Sequence, residues 1–368
     1  MKAICDRKAL AEAANIAIRA VPSRTALPIQ THFLITAEAQ AMRIAGADYE
    51  LQIETTIPAQ VVEEGQCTVL ARILSELVSA LPDGDIQLAS LPDGHVELRT
   101  PTSEYKLFGL PPEEFPPLPE LTSEQAIQIP APLLNDLIRQ TIFACSTDPS
   151  RPQLVGANLV VEGNLIKMAG TDGNRLSVRR AVLEQAAPEP ISCIVPSRAL
   201  SEVQRIVSPL PHDTMVQIGV TQNQIAFRFP DICLISRLIE GQFPNFERVI
   251  PQQWTRRLTL QTKEFQSALR RCMAMAGDTR RVVFRTENDK LTLLAESSSF
   301  GSGREEIEVI KEGEDIEIAF DIRYLDQFLN VVGTEGTVIE MTGSLAPGVM
   351  RPVEGDDLTY VLMPMQLI

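Results

Sequence analysis

Along the chain, apolar spacings of three and four alternate with stretches in which every second residue is apolar, and the whole alternation recurs three times. The clearest marker is a short strand that runs into an amphipathic helix. CTVLAR (Cys67 to Arg72) leads into Ile73, Leu74, Leu77, Val78 and Leu81. CIVPSR (Cys193 to Arg198) follows 126 residues later and leads into Leu200, Val203 and Val207. IAFDIR (Ile318 to Arg323) follows after a further 125 and leads into Leu325, Phe328, Leu329 and Val332. These spacings place each apolar set on one helical face. A second helix opens each unit: Leu10, Ala14, Ala17, Ile18 and Val21 behind Asp6 as N-cap; Leu134, Leu137, Ile138 and Ile142 behind Pro132; and Phe265, Ala268, Leu269, Cys272 and Met273 behind Thr262.

After each opening helix come β-like runs, HFLITAEAQAMRIAG, GANLVVEGNLIKMAG and RVVFRTENDKLTLLA, with Gly, Asn or Asp at their turns. LPDG occurs at Leu81–Gly84 and Leu91–Gly94 as turn chemistry. Each unit therefore reads helix–strands–helix–strands, an α+β pattern. Loop-like boundaries fall at Leu110–Glu120 (LPPEEFPPLPE) and near Ile250–Trp254. The Pro-rich stretch could be an extended ligand for another protein, but it sits where the repeat requires a junction and reads as a rigid connector. The period is too long for a solenoid. Three similar globular domains are expected, at 1–121, 122–252 and 253–368.

Composition narrows the class. With 44% hydrophobic and 22% charged residues the chain is globular, and no apolar run reaches the about 18–20 residues of a membrane span. Asp6, Arg7 and Lys8 interrupt the N-terminal stretch, so it does not read as a signal peptide, and a cytoplasmic protein is expected. Cys5, Cys67, Cys145, Cys193, Cys233 and Cys272 are scattered without a CxxC pair and read as small core residues. His32, His95 and His212 lie far apart and read as surface or loop positions. No metal and no cofactor are expected.

There is no GxxxxGK[ST], HExxH or GxSxG motif. The GSG within Phe300–Gly303 reads as a flexible loop, and Glu113–Glu114 and Glu305–Glu306 read as solvated runs. The pattern is that of a protein without catalysis; an enzyme with an unrecognised active site on a three-repeat scaffold is the alternative. Thirty-three basic against 48 acidic residues give a net charge of −15, which predicts weak equilibrium binding to DNA unless a local basic stripe lies within the acidic body.

Two features stand out. Arg72, Arg198 and Arg323 occupy the first turn of the same helix in each repeat, where a cation opposes the helix dipole. They could form a basic ring facing one polyanion, joined by Arg24 and Arg205, or reflect repeat ancestry and local salt bridges. The C-terminus, Tyr360 to Ile368, could be a last core strand or an adaptable Met-rich binding surface.

From end to end the chain resembles the bacterial sliding clamp family, the beta subunits of DNA polymerase III. The resemblance rests on LPI at Leu27–Ile29, RPxLxG at Arg151–Gly156, TDGNRL at Thr171–Leu176, FPNFERVIP at Phe243–Pro251 and MPM at Met363–Met365, in this order across three repeats. It implies a DNA-clamp fold in which each of three similar domains packs two helices on antiparallel sheets. Two head-to-tail subunits then close a pseudo-sixfold ring around double-stranded DNA, which is held topologically.

It also implies a peptide site for the DNA polymerase III alpha subunit, the clamp loader, other DNA polymerases and repair factors. The matching positions are Leu154, Thr171, Gly173, Arg175, Leu176, Pro244, Arg248, Val249, Val361, Met363, Pro364 and Met365. Asn174, Phe246 and Gln366 depart from the commoner His, Tyr and Arg of the family. The implied homodimer interface uses Tyr105 and Leu107 on one side and Cys272 and Met273 on the other. In the expected arrangement Arg175 and Arg248 line the walls with their stems and keep their charges at the mouth.

Overall fold

The computed structural model describes residues 1–116, 126–355 and 357–367. The expected junction at 121/122 and the end of the Pro-rich connector lie outside the described residues, as does Ile368.

Six α-helices occur among the described residues, two per repeat: α1 Arg7–Ala17, α2 Ala71–Ala80, α3 Ala131–Arg139, α4 Ser197–Val207, α5 Thr262–Ala276 and α6 Ile322–Leu329. Local chemistry explains several of their ends. The Asp6 carboxylate accepts the Ala9 N–H at 3.0 Å and opens α1. Asp321 does the same for the Arg323 N–H at 2.9 Å and opens α6. Helix α5 stops at Gly277, whose φ of +52° suits a residue without Cβ.

Each repeat also opens with a strand that apolar periodicity did not separate from the following helix: Lys2–Asp6, Ile127–Pro130 and Arg256–Gln261. Strands of four to six residues are too short to show an alternation of their own. The second helix of each repeat is followed by three strands: Asp85–Ser90, Val96–Arg99 and Glu104–Leu107; Met215–Val220, Gln224–Arg228 and Ile232–Arg237; Gly336–Met341, Gly348–Pro352 and Leu358–Leu362.

Packing divides the chain into two compact units, Met1–Ala131 with Pro209–Leu238, and Pro132–Ser208 with Ile239–Ile368, so the middle repeat contributes to both. Strand pairing across repeats explains the division. In the first unit Leu51–Pro58 pairs antiparallel with Ile232–Arg237 of the next repeat. In the second unit Arg175–Val182 pairs with Leu358–Leu362, Leu176 facing Val361. Each seam joins the third strand after the opening helix to the last strand of the following repeat.

The first unit has its core around Leu10, Ala14, Phe33, Ile44, Leu74 and Val78. Gly46 is required there, because a Cβ would lie 2.3 Å from the Ala17 carbonyl at the end of α1. Gly170, its counterpart in the second repeat, meets the Thr141 carbonyl at 2.5 Å in the same way. The core of the second unit is built on α5, α6 and the stacked edges of Phe265, Phe284 and Phe320, with centroids 5.8 and 5.3 Å apart.

Four residue-level expectations change. Ile73 is exposed, because the buried stripe of α2 runs through Ala71, Leu74, Ser75 and Val78 and leaves Ile73 on its flank. His32 is buried rather than on the surface; its Nδ1 lies 3.1 Å from the Pro28 carbonyl, and burial lowers its pKa. The GSG at 301–303 begins the strand Gly301–Glu308, with Gly303 tight under Met275 of α5, and is not a loop. Cys272 lies in the second unit's core at 1% exposure and cannot contribute its side chain to a subunit interface.

Candidate functional site

The seam between Arg175–Val182 and Leu358–Leu362 brings several predicted site residues together. Thr171 faces Leu176 in one strand pair, and Leu176 faces Val361 in the next. Leu176 and Val361 join Ala169, Val178 and Val349 in a small apolar cluster on this face of the sheet. The FPNFERVIP segment lies over it: Phe246 and Ile250 are buried in the cluster, and Phe243 packs edge-on to Phe246 with centroids 6.1 Å apart. Glu247 holds the segment down through Arg180 at 3.1 Å and Lys167 at 3.5 Å. Phe246 suits this place, since a buried ring without hydroxyl leaves no polar group to satisfy.

Pro244, Arg248 and Val249 ride on the same segment and are exposed, Val249 at 54%. Met363 is 45% exposed, and its N–H donates to the Asn174 carbonyl at 2.9 Å. The seam thus presents Val249 and Met363, two apolar side chains left in water, beside a packed apolar floor. Leu154 is buried in the turn Pro152–Leu154, and Gln153 of that turn lies against Gly241, two residues before Phe243. Met365 is set apart. Its N–H donates to the Ala319 carbonyl at 2.7 Å, so the tail after Pro364 adds a bridge to the strand Glu317–Asp321. Gln366 is exposed.

Arg175 corrects the expectation of a charge at the mouth. Its side chain is 7% exposed. Nε donates to Asp172 at 3.0 Å, Nη2 donates to the Phe143 carbonyl at 2.6 Å, and Nη1 donates to Gln327. The guanidinium stacks 4.1 Å from the centroid of Tyr324. Asp172 in turn accepts the N–H groups of Asn174 and Arg175, while Thr171 Oγ1 donates to the Arg175 carbonyl and accepts the Gly173 N–H. Arg175 therefore fixes the TDGNRL turn from beneath. Its burial could not be read from composition, because an arginine is ordinarily a surface residue.

Beside the seam lies a cleft of ≈ 350 Å³ lined by Asp148, Arg151, Asn174, Arg323, Tyr324 and Gln327, among others. Sequence reasoning missed Tyr324 and Gln327. They follow Arg323 on α6, and only the seam brings α6 beside TDGNRL.

All five expected DNA-facing arginines, Arg24, Arg72, Arg198, Arg205 and Arg323, are exposed. Arg72, Arg198 and Arg323 each occupy the second residue of their helix. Several are ion-paired within the chain: Arg72 with Glu76 at 2.7 Å, Arg205 with Glu202 at 2.9 Å and Arg323 with Asp321 at 3.4 Å. Local salt bridges are thus part of their explanation. Charge is nevertheless segregated. Ten of the 33 basic and six of the 48 acidic residues lie on the six helices, so the helices net +4 and the rest of the chain −19.

Of the expected interface residues, Tyr105 and Leu107 lie on Glu104–Leu107, the edge strand of a five-stranded sheet. Met273 is half-buried beside Cys272 on α5. The cysteines show no reactive setting. Burial pushes the thiols of Cys5, Cys67, Cys145 and Cys193 up to about 12, and those of Cys233 and Cys272 up to about 11.

Comparison with known proteins agrees with this geometry. The DNA polymerase III beta subunit family matches with its N-terminal domain over residues 1–119, its central domain over 128–245 and its C-terminal domain over 247–366. The Beta sliding clamp of Synechococcus elongatus is 33% identical over 376 residues, all of both chains. That of Staphylococcus epidermidis is 31% identical over 363 residues, 96% of each. The DNA polymerase sliding clamp structure of Bacillus subtilis superposes with a TM-score of 0.96 at 29% identity over the whole of both chains. A Pseudomonas aeruginosa sliding clamp bound to griselimycin superposes at 0.94 with 26% identity, again over both whole chains. The chain belongs to the DNA polymerase III beta subunit family, the bacterial sliding clamps.

Proposed function

We propose that this chain is a non-catalytic DNA sliding clamp, a homodimeric ring that encircles duplex DNA and tethers the replicative polymerase and other factors. The observation that carries the ring is an incomplete seam. Within the chain, the third strand after an opening helix pairs with the last strand of the next repeat, at Leu51–Pro58 with Ile232–Arg237 and at Arg175–Val182 with Leu358–Leu362. Among the described residues the third repeat's counterpart, Gly301–Glu308, is an edge strand, and so is Glu104–Leu107, the last strand of the first repeat. Each copy thus carries one unused half of both kinds. Two copies complete two further seams head to tail, and the heterologous contact closes at six repeats. Long open edges are otherwise an aggregation hazard. The interface then uses Tyr105, Leu107 and the strand Gly301–Glu308, with Met273 at its flank.

The three domains are 1–121, 122–252 and 253–368, each one repeat. The helices, net positive on a strongly negative body, face the DNA; Arg24, Arg72, Arg198, Arg205 and Arg323 make weak phosphate contacts that permit sliding. The acidic remainder discourages binding elsewhere. Retention is topological, so affinity for the duplex is not required. Leu154, Thr171, Gly173, Leu176, Pro244, Arg248, Val249, Val361, Met363, Pro364 and Met365 form the site for an extended partner peptide, with Arg175 as its support. That peptide comes from the DNA polymerase III alpha subunit, the clamp loader, other polymerases or repair factors. No helix among the described residues is long and apolar enough to cross a membrane, and the protein acts in the cytoplasm.

Primer extension on a singly primed circle tests the reading. With clamp loader, ATP and polymerase present, adding the chain should lengthen the product made per binding event. Unchanged product length with a competent loader would contradict it.

A further inference from the structure

The repeat fixes how the two open edges would meet, because each seam position can be counted outward from the helices. Val69, Val195 and Phe320 each stand three residues before the recurring arginine, and they face Phe33, Ala157 and Val282. The next positions, Leu34, Asn158 and Val283, face Ala45, Ala169 and Leu294, which face Glu54, Val178 and Arg304 in turn. Arg304 on the third repeat's edge is therefore the counterpart of Glu54 and Val178. Those two face Cys233 and Thr359 across the seams within the chain.

The other edge is counted in the same way. Ala3, Ile127 and Leu258 each stand four residues before an opening helix and face Leu88, Ile218 and Ile339. These face Leu98, Phe227 and Met350, which face Tyr105, Leu234 and Tyr360. One residue earlier, Glu104 is the counterpart of Cys233 and Thr359. Transferred to the third seam, this register sets Glu104 of one copy directly opposite Arg304 of the other, and Tyr105 opposite Gly303.

Both charges lie on the face of their sheet turned from the core. Gly303 sits under Met275 of α5, and Glu305 pairs with Arg271 of that helix at 2.6 Å, so alternation turns Arg304 away. Leu107 is buried in the first unit's core, so Glu104 and Lys106 point the other way. The side chains of Glu104 and Arg304 are 62% and 67% exposed. Within the chain Glu104 pairs with Arg99 at 3.3 Å and Arg304 with Glu306 at 2.9 Å, while Glu306 also holds Lys290 and Lys106 pairs with Asp93 at 2.7 Å. A guanidinium and a carboxylate each bind several partners at once, so these pairs leave room for another. Joined, the edges alternate in charge from Arg99 through Glu104, Arg304 and Glu306 to Lys290.

We propose that Glu104 of one copy and Arg304 of the other pair across the subunit seam and select the register in which the ring closes. This rests on the two open edges being the interface. A slip of two residues keeps every side chain on its own face. In one direction it sets Lys106 against Arg304 and Glu104 against Glu306, and directly opposed like charges destabilise a sheet. In the other direction Glu104 meets Ser302, Arg304 meets Thr102, and the ion pair is lost. The opposite face agrees with the unslipped register: it lays Tyr105 over the edge glycine Gly303, an aromatic cover that helps to pin strands. Tyr360, the counterpart of Tyr105, is fully buried opposite Ser177.

The test uses Glu104→Arg and Arg304→Glu in the full-length protein. In either homodimer both seams oppose like charges, which should weaken association about tenfold. In the mixed dimer one seam keeps Glu104 opposite Arg304 and the other sets the introduced arginine opposite the introduced glutamate, so both are complementary. With the variants carrying different mass tags, mixed when dilute and then concentrated, native mass spectrometry should find the mixed dimer at about nine-tenths of all dimers, against about one-half for random exchange. In a second measurement, oxidising a chain with Glu104→Cys and Arg304→Cys should lock the dimer by disulfides, since directly opposed positions lie within disulfide reach. Lys106→Cys with Arg304→Cys should not lock it. A random mixture, or a bond formed by the 106 and 304 pair instead, with wild type dimeric, would overturn this inference alone. A wild-type monomer at micromolar concentration would overturn the ring and this pairing with it.

Discussion

Replacing Arg175 by Met separates a residue that supports the site from one that touches the ligand. The methionine keeps most of the aliphatic stem but removes the donors to Asp172, Gln327 and the Phe143 carbonyl, and the stack on Tyr324. Removing one partner of a buried ion pair costs about 3–5 kcal/mol. Asp172 keeps two backbone N–H donors, which places the loss near the lower end, at about 3 kcal/mol. At about 2–4 °C per kcal/mol for a unit of this size, the melting transition should fall by about 6–12 °C. Peptide affinity should fall as well, because the turn carrying Asn174, whose carbonyl holds Met363, loses its anchor. Arg248→Met is the control: Arg248 is exposed, so stability should stay within about 0.5 kcal/mol while the peptide weakens. Differential scanning fluorimetry, urea denaturation and a fluorescent motif peptide measure all three quantities. An Arg175→Met protein as stable as wild type would refute the supporting role, and equal destabilisation by both substitutions would refute the distinction.

The remaining predictions concern the tail, the ring and the helices. Met363→Ala should weaken motif peptides at least tenfold, as for a truncated anchor worth about 2 kcal/mol, and leave the dimer intact by sedimentation. Deleting Pro364–Ile368 should weaken the same peptides and, by removing the Met365 bridge to Ala319, also lower the melting temperature. Lys106→Pro removes an outward-facing ladder donor from the edge strand and should convert dimer to monomer at micromolar concentration in sedimentation velocity; a persistent dimer would place the interface elsewhere. Replacing Arg72, Arg198 and Arg323 together by Glu should reduce loading on primed DNA with the dimer preserved. A large fall in melting temperature would show that their ion pairs serve the fold instead.

How much of this could be read from the chain depends on the range of each interaction. The six helices followed from apolar spacing, and Asp6 as a cap from its own side chain, because both are local. The resemblance named Leu176 and Val361 as site positions without saying that they face each other, since that pairing spans most of the second and third repeats. Cross-repeat sheets and the cleft beside Tyr324 were invisible for the same reason. Arg175 and Cys272 failed differently. An arginine reads as surface until its partners are known, and a resemblance can place Cys272 on an interface helix without saying which side of that helix is buried. Ile73 failed because two adjacent apolar residues on α2 cannot both lie at the centre of one stripe.

The central claim is topological retention, and loading followed by cutting tests it most directly. The chain, fluorescently labelled, is loaded by the clamp loader and ATP onto nicked circular DNA, freed of loader, and followed by gel filtration before and after a single restriction cut. The account predicts that the protein elutes with the intact circle at physiological salt and is released when the DNA becomes linear. Equal retention on circular and linear DNA would contradict it and show instead that the protein is held by direct affinity for the duplex.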